Sequence, residues 1–260
     1  MKWENIPKEL KQLKQWVCTR NDSKIPMIAT VNCAASSVNP NTWCNFDEAT
    51  QSVSDGNYDN IGFVFNNNGI IGIDIDTGYE DGLLSPIACD IINRCKSYTE
   101  KSKSGRGFHI FIKGDIPFKG KNNLNGVEIY KQSRFFITTG DMLLYNEIVE
   151  NQEAIDYIIK TYFPESRNSD ATSVVTDRIY TPVWCKPQDG KIPLRPQYPK
   201  IPDGGRNISL ASLAGALHSL GYTARQIYDE LVYCNNVACE PMLHTNEIQT
   251  IVNSITRYKR

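Results

Sequence analysis

A chain of 260 residues, 40% hydrophobic and 22% charged, carries enough apolar material for one large domain or two ordinary ones, which excludes global disorder. A net charge of −1 excludes nucleic-acid affinity built on bulk charge, and no run of about 18 apolar residues is present to span a membrane. The eight cysteines form no dense framework and the N-terminus MKWENIPKELKQLKQW has no signal-peptide core, so reduced thiols in a cytosol are expected.

In chain order, residues 1–163 read as mixed α/β. Pro7 to Leu13 predicts a short helix, Trp16 to Thr19 a strand, and Thr42 to Ala49 the start of a second helix. Ile61 to Asp76 (IGFVFNNNGIIGIDID) reads as two apolar strands around an Asn-Asn-Asn-Gly turn. Pro86 to Lys96 has helical apolar spacing, Phe108 to Lys113 alternates as a strand, and Val127–Tyr130 and Arg134–Thr139 predict two more strands. A helix over Asn151–Phe163 closes the domain. Residues 164–202 are rich in Pro, Ser, Thr and Asp and predict an extended linker, because proline breaks both helix and sheet. Residues 203–260 predict three helices: Ile208–Leu220, one capped by Thr223 with Gln226, and one capped by Thr245 with a stripe of Ile248, Ile251, Val252, Ile255 and Tyr258.

Three short motifs carry chemistry. In a strand, residues two apart share a face, so Asp74 and Asp76 of Gly72-Ile-Asp-Ile-Asp76 aim two carboxylates the same way. Such a pair either binds water at a solvated loop or holds a hard divalent ion, Mg²⁺ or Mn²⁺, between repelling charges. Ser104-Gly105-Arg106-Gly107-Phe108-His109 reads either as a hairpin loop before a core histidine or as a cradle for a triphosphate, with backbone N–H groups, Ser104, His109 and nearby Lys101, Lys103 and Arg106 as contacts. Between Arg94 and Lys121, eight Lys or Arg stand against two acids, Glu100 and Asp115, which makes this the local basic patch. Glu128 faces away from Val127 and Ile129. It is either a third carboxylate of a metal site, with Arg134 on phosphate, or half of a surface ion pair with Arg134. Cys234, Cys239 and His244 invite a zinc reading but lack a fourth ligand.

Taken in this order and spacing, IDID (73–76), SGRGFH (104–109), and VEIY (127–130) with RFFITTG (134–140) resemble the archaeo-eukaryotic primase superfamily, in particular the primase-polymerases of phages and mobile elements. The lead-in resembles it too, through the Trp-Val-Cys-Thr strand, Lys24, Pro26 and Ala35 to Trp43. So does the tail, through Gly205-Arg206-Asn207, Leu210, Gly221, Asn235, Pro241 and Glu247. Departures are Glu128 where many relatives carry Asp, and Lys103 where a Pro is frequent.

The resemblance implies an α+β chain: an RRM-like catalytic domain with a mixed or antiparallel sheet, then a small all-α primase domain. It implies template-directed nucleotidyl transfer on single-stranded DNA with dNTP or NTP, and a bacterial cytoplasm as its setting. A separate helicase is expected, since none follows Arg260. Asp74, Asp76 and Glu128 would hold two divalent metals. Ser104, Gly105, Arg106, Gly107, His109 and Arg134 would hold the triphosphate, and Lys101, Lys103, Arg206 and Arg225 are candidate nucleic-acid contacts. Two other classes compete. A catalytically inactive DNA-binding module would keep the fold without needing the carboxylates. A nuclease would need the carboxylates but no triphosphate cradle. A ligase-like enzyme requires a K-x-D/N-G motif, and Lys186-Pro-Gln-Asp-Gly has the wrong spacing.

Overall fold

The computed structural model describes residues 2–122, 126–163, 184–187, 190–192, 195 and 197–257. Most of the expected linker, and Tyr258, Lys259 and Arg260 of the tail, lie outside the described residues. The first elements are α1 (Lys8–Lys11), β1 (Trp16–Thr19), α2 (Phe46–Ser54), β2 (Asn60–Asn66), β3 (Ile70–Ile75), β4 (Tyr79–Glu80) and β5 (Leu83–Leu84). There follow α3 (Pro86–Cys95), β6 (Thr99–Lys101), β7 (Phe108–Lys113), β8 (Gly120–Asn122), β9 (Val127–Tyr130), β10 (Gln132–Ile137), β11 (Met142–Leu144) and α4 (Gln152–Tyr162). The tail holds β12 (Ile201–Pro202), α5 (Arg206–Ser219), α6 (Ala224–Ala238), β13 (Cys239–Glu240) and α7 (Thr245–Thr256).

Contacts divide the chain into two compact units, residues 1–77 with 94–156, and residues 78–93 with 157–260. The first unit holds a three-stranded sheet in the order β1-β2-β10 and a six-stranded sheet in the order β11-β6-β7-β3-β9-β8. Every pairing in both is antiparallel. The architecture is α+β.

The Asn-Asn-Asn-Gly turn does not join a hairpin. β2 pairs with β1 and β10, whereas β3 pairs with β7 and β9, so the turn carries the chain from one sheet to the other. Each strand is buried almost throughout, which is why both read as apolar runs rather than alternating ones.

Aromatic rings from both sheets meet in one core. Phe63 and Phe65 of β2, Phe136 of β10 and Phe111 of β7 contact one another, with Phe65 and Phe136 edge to face at 4.8 Å. Such pairs add about 0.5–1.5 kcal/mol each beyond the area they bury. Gly72, at the middle of β3, makes this closure possible. A Cβ there would lie 2.1 Å from Phe65 Cζ and 2.6 Å from Phe136 Cε2. Gly72 and Asp74 share a strand face, so the three-stranded sheet covers that face at Gly72 and leaves Asp74 at its margin. Helix α2 starts as its residues dictate: Asn45 accepts from the Glu48 N–H at 2.8 Å, and Glu48 accepts from the Asn45 N–H at 3.0 Å.

The second unit begins earlier than the boundary expected at 163. The β4–β5 hairpin and the start of α3 belong to it because they bond to later segments. Cys89 and Cys185 form a disulfide, Leu84 bridges Cys185, the Tyr162 hydroxyl donates to Asp90 at 2.8 Å, and Asn93 donates to the Ile192 carbonyl at 3.2 Å. The disulfide departs from the expectation of reduced thiols throughout.

In the tail, Leu210, Leu213, Ala214 and Leu217 form the buried stripe of α5. The capping box of Thr223 and Gln226 starts α6, whereas α7 is capped by His244 rather than Thr245. Buried Asn235 donates to the Leu243 carbonyl and accepts from its N–H, fixing the connection between α6 and α7. Cys234 and Cys239 are buried, and burial raises the Cys239 thiol to about 11 and pushes the Cys234 thiol well above its ordinary value. No helix among the described residues is long and apolar enough to cross a membrane.

Candidate active site

The registers of four neighbouring strands put four polar residues in one row. Glu100 of β6 lies opposite His109 of β7, His109 opposite Asp74 of β3, and Asp74 opposite Glu128 of β9. Directly opposed residues share a sheet face, so the row lies on the face that carries Gly72. Ile73, Ile75, Phe108, Ile110, Val127 and Ile129 point the other way and are buried. Phe108 is therefore part of the core.

His109 Nε2 is 3.8 Å from Asp74 Oδ1, and its Nδ1 is 3.3 Å from Glu100 Oε1. The imidazole stacks on Phe136, with ring centres 4.7 Å apart and planes 18° apart. Burial pulls the His109 pKa down, but the Glu100 hydrogen bond and the charges of Asp74, Glu100 and Asp76 outweigh it and raise it overall. For Asp74, burial is the largest influence and raises the pKa; His109 lowers it, and the charges of Asp76 and Glu128 raise it again.

Asp76 does not extend the strand as expected. β3 ends at Ile75, and Asp76 sits in the following turn, exposed, with its N–H donating to the Gly126 carbonyl at 2.9 Å. Its charge still acts on Asp74. Glu128 is engaged otherwise: Arg134 donates to it at 2.9 Å and the Tyr130 hydroxyl at 3.0 Å. Arg134 also lies over the Tyr130 ring, 5.0 Å from its centre. The surface-pair alternative for Glu128 and Arg134 is thus the arrangement present. Burial, with the charge and hydrogen bond of Glu128, pushes the Tyr130 hydroxyl up to about 12, so it remains a donor. Among the described residues, no three or more His, Cys, Asp or Glu side chains are arranged to hold a metal ion.

The Ser104–His109 segment reaches this row through a tight loop. The Ser102 N–H donates to the Gly107 carbonyl at 2.8 Å and the Gly105 N–H to the Ser102 carbonyl at 2.9 Å. Ser104 Oγ accepts from the Arg106 N–H at 3.2 Å. Gly105 has φ +70°, and a Cβ on Gly107 would lie 2.4 Å from the Ile75 carbonyl oxygen and 2.8 Å from that of Asp76. Glycine at 107 therefore lets this loop press against the turn that carries Asp76. Lys103, Ser104 and Arg106 are exposed on the loop and Lys101 is half-buried at its base.

The expected tail contacts are used internally. Arg206 bonds to the Pro241 carbonyl at 2.7 Å and pairs with Asp203, and Arg225 pairs with Asp229 at 2.8 Å. The sequence reading missed Glu100. Its only signal was an acid within a basic stretch, two residues after a buried tyrosine.

A carboxylate–histidine row thus lies beside a glycine loop on an antiparallel α+β frame. Residues 196–260 match the family model Primase C terminal 1 (PriCT-1). Over 147 residues, 52% of this chain, the sequence is 29% identical to the DNA Primase-polymerase of Nitratiruptor phage NrS-1. The match covers 20% of that relative's length.

Proposed function

We propose that the protein is a template-directed primase-polymerase that makes or extends primers on single-stranded DNA from dNTP or NTP, in replication of a phage or mobile element within a bacterial cytoplasm. The observation that carries this reading is the register that sets Asp74 between His109 and Glu128, with the Ser104–Gly107 loop against the Asp76 turn. In this reading the first unit is an RRM-like primase domain and the tail a helical primase domain. A separate helicase would open the duplex.

The donor chemistry fits Mg²⁺ or Mn²⁺ at Asp74 and Asp76, whose charges already oppose one another. Glu128 would join them once its carboxylate leaves Arg134 and Tyr130. A divalent metal held there would supply Lewis-acid chemistry: activation of the attacking hydroxyl and stabilisation of the leaving pyrophosphate. His109 Nε2, Ser104, the loop N–H groups and the freed Arg134 would bind triphosphate oxygens, while Lys101, Lys103 and Arg106 attract the anion.

The Glu128–Arg134 pair favours one alternative: a catalytically inactive DNA-binding replication module in which that pair stays closed. Incubation with Mn²⁺ or Mg²⁺, a single-stranded template, and dNTPs or NTPs, with and without primer, separates the two. Metal-dependent product that is lost in an Asp74→Ala/Asp76→Ala protein supports the enzyme. Template binding with no product under any of these conditions supports the module.

A further inference from the structure

Among the described non-glycine residues with positive φ, Ser133 alone lies inside a strand, at φ 62°. A residue with a Cβ takes that conformation at a cost, and it persists only where its surroundings impose it. The cause is a β-bulge. Gln132 of β10 stands opposite Asn66 and Phe135 opposite Val64, so Ser133 and Arg134 together face the single residue Phe65. A bulge re-aims the side chains beside it. Phe135 packs with Val17, Trp43 and Val64, on the face opposite Phe136. Arg134 shares the face of Phe136, lies over the Tyr130 ring and reaches Glu128 Oε2 at 2.9 Å.

The bulge is clasped by residues 35–43. The Ser37 hydroxyl donates to the Ser133 carbonyl at 3.2 Å, across 96 positions of chain. That carbonyl lies in the same peptide plane as the Arg134 N–H, so holding it fixes the direction in which the chain enters Arg134. The clasp is itself braced. Trp43 Nε1 donates to the Ser36 carbonyl at 2.7 Å, the Asn39 N–H donates to the same carbonyl at 3.3 Å, and the Ser36 N–H donates to Thr42 Oγ1 at 3.0 Å. Buried Trp43 anchors the segment through its apolar contacts. We infer that Ser37 is a positioning residue: it holds the bulge at Ser133 and so aims Arg134 at the phosphate oxygens of the incoming nucleoside triphosphate. The inference rests on the primase-polymerase reading for the identity of that ligand. With the backbone held, the half-exposed guanidinium exchanges Glu128 for phosphate by turning about its side-chain bonds alone, and little ordering is left to the moment of binding. A purely structural role would show the opposite split, in stability and not in nucleotide affinity. Trp43 already anchors the segment, so one exposed hydrogen bond adds little to the stability of the fold.

Steady-state primer extension by the full-length protein, with dATP, Mn²⁺ and an oligo-dT template, tests the clasp. Ser37→Ala should raise the KM for dATP about fivefold, with kcat within about twofold and Tm within about 1 °C of wild type. Ser37→Thr keeps the hydroxyl and should restore the KM. Arg134→Gln should raise the KM further, and Ser37→Ala added to it should cost nothing more. An unchanged KM in Ser37→Ala, with or without a fall in Tm, overturns the inference and leaves the polymerase reading standing. So does a loss that is additive with Arg134→Gln, or a Ser37→Thr protein as impaired as Ser37→Ala. If the wild type binds dATP but extends no primer, the polymerase reading fails, and the Kd for dATP in the same four proteins decides the clasp by the same comparisons. If it binds no dATP, both fall together.

Discussion

In the first unit Glu100 is wholly buried and in the second Glu230 is equally so, yet their surroundings differ in kind. Glu230 is met by the Arg195 guanidinium and the Tyr198 hydroxyl, and Arg195 in turn lies 4.6 Å from the centre of the Tyr233 ring. These partners close around one another. The partners of Glu100 include His109, whose far nitrogen faces Asp74, itself under the influence of Asp76 and Glu128. A buried charge whose partners neutralise it locally specifies packing. A buried charge that begins a row running out to the half-buried Glu128 marks a candidate site. Burial alone does not separate the two; the direction in which the polar contacts run does.

The largest test of this contrast is Asp74→Asn. On the proposed mechanism it should lower template-dependent extension by about 1,000-fold or more, and it should raise stability in metal-free buffer by about 1 kcal/mol, or ~3 °C in Tm. Burial and like charges disfavour the Asp74 carboxylate, so removing its charge relieves the fold while disabling the chemistry. Melting curves with EDTA and a primer-extension assay check both halves, and a destabilised Asp74→Asn protein would contradict the strain argument.

Glu230→Ala should do the reverse. It strands the Arg195 guanidinium and should cost about 3–5 kcal/mol in urea unfolding, with extension per folded molecule unchanged at low temperature. Loss of extension without loss of stability would move Glu230 into the functional class.

The acid beside Glu230 supplies a pH test. Burial raises Asp229 to about 6, despite its Arg225 partner. Its folded pKa lies above the unfolded one, so the folded state holds the proton longer. Stability from this group is full below about pH 4, is lost as pH rises to about 6, and is flat above. The wild-type minus Asp229→Asn difference in unfolding free energy should fall by about 3 kcal/mol across that window. A difference that rises with pH would refute the sign.

Gly107→Ala should have the smallest effect of the four. Its Cβ would force the loop off the Ile75 and Asp76 carbonyls, and the nucleotide KM should rise about tenfold with the global Tm nearly unchanged. An unchanged KM would separate the loop from the nucleotide.

Much of the fold was legible before the structure. The strands at Trp16, Phe108 and Val127 and the capped helix after Thr223 announced themselves through runs, alternation and a capping pair, which are local signals. The short strands β6, β8 and β11 did not, because three residues carry no period; each exists only through its neighbour. For the site, Asp74, His109, Glu128 and the glycine loop were read from residue type and order. Glu100 was missed, since nothing local distinguishes a buried acid from a solvated one.

The sequence by itself determined which side chains share a strand face, because the two-residue period of a strand is a property of the backbone. It thereby set His109 against Phe108 and Glu128 against Val127 and Ile129. Only the tertiary structure decided register: that β3 lies between β7 and β9, so that residues 35 and 54 positions beyond Asp74 come to stand beside it. It alone decided that the Asn-Asn-Asn-Gly turn changes sheets, that Asp76 leaves the strand, and that Glu128 rests on Arg134. Those outcomes depend on partners distant along the chain, and pairing energies between such partners are not written in any local window of residues.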